Sequence, residues 1–157
     1  MSGFVINVAT LPSGYFRGVE EAEPRDLELP EQEWSGPVRG SLEIEKTGER
    51  ISVRGRLEAT ARLECVRCLK SFECPIHMPF EAFAERSGMA PRHEQEALER
   101  DAYMLFHDGR RLDLRAQVRE HLMLEIPIAP RCREDCAGLC PRCGADLNVG
   151  PHACPAA

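Results

Sequence analysis

Eight cysteines in 157 residues are the side chains of this sequence best suited to chemistry, and four of them crowd into CREDCAGLCPRCG near its C-terminal end. Cys132, Cys136, Cys140 and Cys143 follow one another at spacings of four, four and three. Thiolates this close in sequence converge on a single metal ion when the backbone can turn around it, and Pro141 and Gly144 supply the stiff turn and the room for amides to approach sulfur. Cys65-Val66-Arg67-Cys68 offers a pair upstream, and His152 and Cys154 offer two more ligands downstream. The tail has too few apolar residues to bury sulfurs as core, which leaves metal ligation as the better account. Cys74 differs, because it shares the parity of Phe72 and Ile76 and so is expected to be a small buried hydrophobe.

Setting Cys74 aside leaves seven cysteines and His152, eight ligands, enough for two tetrahedral sites. One partition closes both: Cys65, Cys68, Cys132 and Cys136 in the first, Cys140, Cys143, His152 and Cys154 in the second. A single four-thiolate site is the alternative, built from Cys65 and Cys68 with Cys140 and Cys143, or from the four tail cysteines alone. Four protein ligands leave no open position for water or substrate, so one or two zinc ions would be structural. Structural zinc contributes on the order of 10 kcal/mol in small modules, which a tail poor in apolar residues cannot obtain from burial. A redox role for Cys65 and Cys68 competes less well, since thioredoxin-like CxxC pairs open a helix and this one joins two strands. No catalytic constellation is visible: His77 and His107 fall at strand edges or loops, His93 in a polar loop and His121 on a helix, each expected to be solvated or capped. There is no GxGxxG and no phosphate loop, and no small-molecule substrate is expected.

These ligands need elements to position them. From Ile51 to Cys65 the odd positions are Ile, Val, Gly, Leu, Ala, Ala, Leu and Cys, and the even ones are polar or charged, the period of a half-buried strand. Its length predicts a bend or bulge near Gly55. Leu42 and Ile44 precede it across a Lys46-Thr47-Gly48-Glu49 turn, and Phe72 to Ala82 follow it with Pro75 and Pro79 on the polar parity, as suits an edge strand. A further strand is expected at Val5 to Val8, and a loop or short helix over 84–101. Leu114, Val118, Leu122 and Met123 predict a helix capped by Asp113 and closed by Pro127. The class is α+β: an antiparallel β-meander or partly open barrel with one main helix and a cysteine-rich, zinc-binding C-terminal tail. Two units are expected, residues 1–126 forming the β-rich domain with its helix and residues 127–157 forming the tail docked on the CxxC hairpin.

The net charge of -6, from 20 basic and 26 acidic residues, excludes a whole-surface grip on nucleic acid. Residues 17–33 hold seven acids and two bases with Pro24 and Pro30, and are expected to be an exposed acidic connection outside the core. Residues 34–72 reverse this with eight bases against five acids. Arg54, Arg56 and Arg62 on the polar face, with Arg67 and Lys70 at the CxxC turn, form the candidate RNA contact; five phosphate contacts would give a log-log salt slope of up to about -4. No apolar run reaches the ~20 residues a bilayer needs and no signal peptide is visible, so the expected setting is the reducing cytoplasm with no membrane partner.

The ordered segments ECVRCLKSF, LDLRAQVREHLMLEIPIAPRC and DCAGLCPRCGADLN resemble the bacterial and plastid YceD family of large ribosomal RNA subunit accumulation proteins, over nearly the whole chain. The resemblance implies a small, soluble, non-enzymatic protein linked to accumulation of large-subunit ribosomal RNA, with a gene that in bacteria commonly neighbours one for a large-subunit ribosomal protein. The family's cysteine pattern carries over onto Cys65, Cys68, Cys132, Cys136, Cys140 and Cys143. The chain departs at its end, where relatives finish in a CxC pair and His152-Ala153-Cys154 stands here; imidazole replaces thiolate on zinc. The leading expectation is a ribosome-biogenesis factor contacting large-subunit ribosomal RNA or a ribosomal protein. The alternatives are an adaptor whose acidic Glu20 to Glu33 recruits a basic ribosomal protein, and a thiol redox protein.

Overall fold

The computed structural model of the chain describes residues 3–87 and 104–155. Its largest element is an open five-stranded sheet in the order β2-β3-β4-β5-β6, built from β2 (Gly14–Ala22), β3 (Trp34–Thr47), β4 (Arg50–Glu64), β5 (Ser71–Arg86) and β6 (Met104–His107). The first four strands form an antiparallel meander, and β6 joins β5 in parallel over Phe83–Arg86 only. A separate two-stranded ribbon pairs β1 (Val5–Asn7) with β7 (Arg111–Asp113). The strand expected at the N-terminus is present, but it pairs with this distant segment instead of joining the meander.

Alternation decides which face is dry. Ile51, Val53, Leu57, Ala59 and Ala61 of β4 and Ile76, Met78, Phe80, Ala82 and Ala84 of β5 are buried on one side of the sheet. The ribbon's Ile6 and Leu112, together with Phe4, cover that side. So does the helix α1 (Arg115–Glu125), through Val118 and Leu122. Asp113 steadies the first turn of α1 by accepting from the Arg115 amide at 3.0 Å, Leu114 is fully buried before it, and Ile126 and Pro127 end it. Met123, placed on the apolar side by the sequence pattern, is 40% exposed.

Three expectations are corrected. The β4 register runs unbroken through Gly55, which pairs with Leu42 and Phe80, and the irregularity lies instead between Ser35 and Arg39 of β3. Gly55 is needed for close approach, because a Cβ there would run into the Ser41 carbonyl oxygen. Residues 17–33 are not a detached acidic connection: β2 runs to Ala22, and Ala22, Pro24, Leu27 and Leu29 are buried, as is Glu20. An edge strand shows acids to water along its length, and that masks its few inward residues. His107 is buried rather than solvated, with Nε2 3.0 Å from the Glu49 carbonyl and Nδ1 accepting the Gly109 amide at 3.1 Å. Between 84 and 101, β5 continues to Arg86; His93 and the remainder from 88 lie outside the described residues.

Candidate metal centres

Strand β4 delivers Cys65 to the dry face at its last turn, and the chain reverses through Cys68 into β5. The reversal is fixed by Leu69 N–H donating to the Cys65 carbonyl at 2.8 Å and Cys65 N–H donating to the Lys70 carbonyl at 2.9 Å, with Leu69 left-handed at φ 61°. The tail repeats the pattern. Gly144 N–H donates to the Cys140 carbonyl at 2.8 Å, Cys140 N–H donates to the Ala145 carbonyl at 2.8 Å, and Gly144 has φ 73°. Two CxxC turns with one backbone plan thus stand at the two ends of the cysteine set. Where the second uses glycine for the left-handed position, the first tolerates a leucine there, which costs roughly 1–2 kcal/mol.

Two groups of ligand atoms result, each with all its atoms within 4.8 Å of one another: Cys65, Cys68, Cys132 and Cys136, and Cys140, Cys143, His152 and Cys154. They are the two sets of the first partition above. Sulfurs held about 2.3 Å from one zinc ion in a tetrahedron lie about 3.8 Å apart. The Sγ–Sγ separations are 3.7 Å for Cys65 and Cys136, 3.7 Å for Cys68 and Cys132, and 3.9 Å for Cys140 and Cys154. Cys143 Sγ lies 3.0 Å from His152 Nε2. Both groups therefore have the ligand types, number and spacing to hold a metal ion. Cys74 belongs to neither; it is half-buried rather than buried, near the end of the sheet where β5 leaves the core.

Within the first group, the amides of Cys132 and Cys68 lower the Cys65 thiol to about 6. The side-chain amide of Asn148 lowers Cys136, from 3.5 Å. Desolvation and the neighbouring sulfurs of Cys136 and Cys68 push Cys132 up to about 12. The Cys65 thiol is thus eased toward the thiolate, Cys136 is shifted in the same direction, and the crowding of sulfurs penalises a further negative charge beside them. A divalent cation at the centre would reverse that penalty and favour ionisation of all four. In the second group the amides of Cys143 and Arg142 lower Cys140 to about 6, the same device at the matching position of the second turn.

Sequence reasoning missed the residues that brace these groups. Asn148 accepts from the Ala137 amide and from Arg133, each at 2.8 Å, and donates to Asp146 Oδ1 at 2.8 Å as well as to the Cys136 sulfur. Asp146 in turn contacts Lys70, whose ammonium is the largest cause holding the Asp146 carboxyl at about 2. Arg67 donates to the Cys136 carbonyl at 2.8 Å, Leu139 N–H donates to the Arg67 carbonyl at 3.1 Å, and Val66 N–H donates to the Pro130 carbonyl at 2.9 Å. Gly138, at φ 80°, passes so close that a Cβ would sit 3.1 Å from the Arg67 carbonyl oxygen. The only sequence signal for the braces was the Asp146-Leu147-Asn148 spacing of a side-chain turn directly after the second CxxC.

The five cations proposed for RNA do not form a continuous ribbon. Arg54 pairs with Glu81 at 2.8 Å, Arg62 lies 3.4 Å from the Ser35 hydroxyl, and Arg67 and Lys70 are engaged at the tail as described. Arg17, Glu43, Arg54 and Glu81 face one another in register across β2 to β5, and Glu21, Arg39, Glu58 and His77 make a second such row. Charges alternate along the first row and over Glu21, Arg39 and Glu58 of the second, with Arg17–Glu43 at 2.9 Å and Arg39–Glu21 at 2.7 Å. Arg56 has no ion pair among the described residues, and it lines a surface trough of about 640 Å³ with Arg17, Val19, Ser41 and Glu43.

Residues 53–157 match the family model described as "Large ribosomal RNA subunit accumulation protein YceD". An uncharacterized protein of Mycobacterium leprae is 34% identical over 125 residues, covering 80% of this chain and 56% of the relative. Uncharacterized proteins of Mycobacterium bovis and Mycobacterium tuberculosis are each 32% identical over 110 residues, covering 70% of this chain and 51% of theirs. The chain spans about half the length of these curated relatives. No solved structure matches it. No helix among the described residues is long and apolar enough to cross a membrane.

Proposed function

We propose, from the premise that this chain belongs to the YceD family, that it is a non-enzymatic cytoplasmic factor sustaining accumulation of large-subunit ribosomal RNA, with its C-terminal tail held to the sheet by two structural zinc ions. The observation that carries this is the closure of both ligand groups: each offers four protein ligands, so neither zinc keeps a position for water or substrate. The residues assigned to zinc are Cys65, Cys68, Cys132 and Cys136 in one site and Cys140, Cys143, His152 and Cys154 in the other. Binding of Cys65 and Cys68 in such a site leaves no free CxxC for thiol exchange. RNA contact is assigned to Arg56 in its trough and to Arg62, because Arg54 is matched by Glu81, Lys70 is paired with Asp146 and Arg67 donates to the Cys136 carbonyl.

Cells lacking the gene are expected to show a lowered ratio of large- to small-subunit ribosomal RNA, restored by the wild-type chain and not by Cys65→Ser with Cys68→Ser. An unchanged ratio in the deletion sinks the function. Native mass spectrometry is expected to give two zinc ions per chain, released by chelator; one ion or none overturns the pair of sites. With only Arg56 and Arg62 of the five candidate cations engaged by neither a carboxylate nor the tail among the described residues, affinity for large-subunit RNA is expected to fall with salt at a log-log slope of about -1.5 to -2 instead of the steeper value five free cations would give. A slope near -4 would show that the arginine rows open to bind phosphate.

A further inference from the structure

The two edges of the large sheet are finished differently. Along β5, strand β6 covers the last four residues, and Pro75 and Pro79 occupy the uncovered part. At the other edge β2 runs nine residues with no proline and no break in its register with β3. In antiparallel strands successive residues bond to opposite neighbours, so the direction of bonding carries across the sheet. Cys65 N–H donates to the Lys70 carbonyl and Arg62 N–H to the Glu33 carbonyl, so odd residues of β4 bond toward β5 and even ones toward β3. Carried through the register, the even residues of β2 bond β3, and Tyr15, Arg17, Val19 and Glu21 turn N–H and C=O outward. Among the described residues these outward groups have no backbone partner. Gly3 stands beside the Glu21 carbonyl and Ala22, and closes that end alone.

The charges on β2 select what can pair with it. Arg17 ends the first charged row of the outer face and Glu21 ends the second, each two residues from Val19, which is 70% exposed between them. A second copy turned about a two-fold axis through Val19 sets valine against valine and Arg17 of each copy opposite Glu21 of the other. Both rows then keep their alternation of sign across the junction. Neither charge is used up by its own row. Arg17 reaches Glu43 through Nε and Glu21 accepts from Arg39 through Oε2, leaving the terminal N–H groups of Arg17 and Oε1 of Glu21 to a further partner. On the inner face the buried Glu20 comes opposite Gly18, where a side chain would meet open space. Other registers are worse: an axis at Arg17 opposes two guanidiniums, one at Gly18 sets Arg17 against Val19, and one at Glu20 brings two inward carboxylates together.

We propose that β2 pairs antiparallel with β2 of a second copy about Val19, joining two five-stranded sheets into one symmetric dimer. No metal ligand lies on β2 or β3, so the proposal stands independently of the zinc assignment and of the ribosomal role. One strand edge per copy is a small contact, below the ~1,200 Å² of a standard interface, and the expected dissociation constant is about 10–100 μM.

Sedimentation velocity of the full chain over about 5 μM to 1 mM brackets that range, and the wild type is expected to pass from monomer to dimer within it. Val19→Pro removes an outward N–H and no bond to β3, and is expected to stay monomeric throughout. Arg17→Glu and Glu21→Arg each set like charges opposite one another in a homodimer, and each is expected to weaken self-association at least about tenfold. An equimolar mixture of these two variants is expected to dimerise again, because every contact between positions 17 and 21 then joins opposite signs. Emission of the buried Trp34 checks that each variant is folded. A wild type that remains monomeric overturns the proposal. So does a dimer that survives Val19→Pro, which places the interface elsewhere, or a mixture that stays monomeric, which removes the register about Val19.

Discussion

Asn148 ties three parts of the tail together: its carbonyl oxygen receives the Ala137 amide and Arg133, and its amide nitrogen reaches both Asp146 and the Cys136 sulfur. Removing that side chain leaves Cys136 with its thiolate less favoured and its position less fixed. Asn148→Ala is therefore expected to weaken metal at the Cys65 group about 10–100-fold while sparing the Cys140 group, read by chelator competition with the two sites resolved. Asp146 gives a pH signature. Its folded carboxyl sits at about 2, below its ordinary 3.8, chiefly because Lys70 hydrogen-bonds the charged form. A depressed carboxylate contributes stability that is complete above the ordinary value and lost as pH falls through the folded one. The stability difference between wild type and Asp146→Asn is thus expected to be constant from pH 5 to 7 and to shrink between about pH 4 and 2. Denaturant melts at stepped pH measure it, and a difference that vanishes already near pH 6 would implicate another group. The two groups of candidate ligands were legible in the sequence, because sulfur in an apolar-poor tail has few other uses. Asn148 and Asp146 were not, since asparagine and aspartate two residues apart are common in turns, and only the fold shows that this turn lies against Cys136.

Strands β4 and β5 were legible because each buries one face for most of its length, so period 2 shows directly in the residue types. Strand β2 was not, because the buried Ala22 sits among outward-facing Glu21 and Glu23. Gly55 suggested a bulge, but the glycine accommodates the Ser41 carbonyl of the neighbouring strand, a requirement set by tertiary approach and invisible along one strand. The helix α1 has two faces with separate duties. Leu122 is fully buried against the sheet and Leu124, two residues on, is largely in water. Leu122→Ala is expected to destabilise the chain by about 2–5 kcal/mol, from lost burial plus the cavity left behind. Leu124→Ala is expected to stay within about 0.5 kcal/mol of wild type. Equal losses in the two, by guanidinium melts followed at Trp34, would mean that Leu124 packs in the core.

At the scale of the whole molecule, two hydrophobic groupings lie side by side without merging. The main core draws on β1 to β7 and α1, reaches along the chain as far as the half-buried Ile126, and includes no residue of the tail. The second consists of Cys65, Cys68 and Cys136, with Phe72 and Leu139 packed against them. Three sulfurs and two half-buried apolar side chains are too little apolar area to hold a segment of some thirty residues by burial, at about 25 cal/mol per Å². The backbone contacts Val66–Pro130 and Leu139–Arg67 are few and each contributes on the order of 1 kcal/mol. On the proposed function, metal ligation holds the tail in place, whereas the sheet has its own buried core. A chelator is expected to release the tail while the sheet stays folded. Trypsin should then cut at Arg131, Arg133 and Arg142 at least tenfold faster, with Trp34, 2% exposed in the main core, unchanged in emission and β-sheet circular dichroism retained. Zinc added back should restore protection. If chelation instead unfolds the sheet together with the tail, the two groupings are one cooperative unit; if the tail remains protected without metal, burial and hydrogen bonds suffice and the ligand groups are not what fastens it.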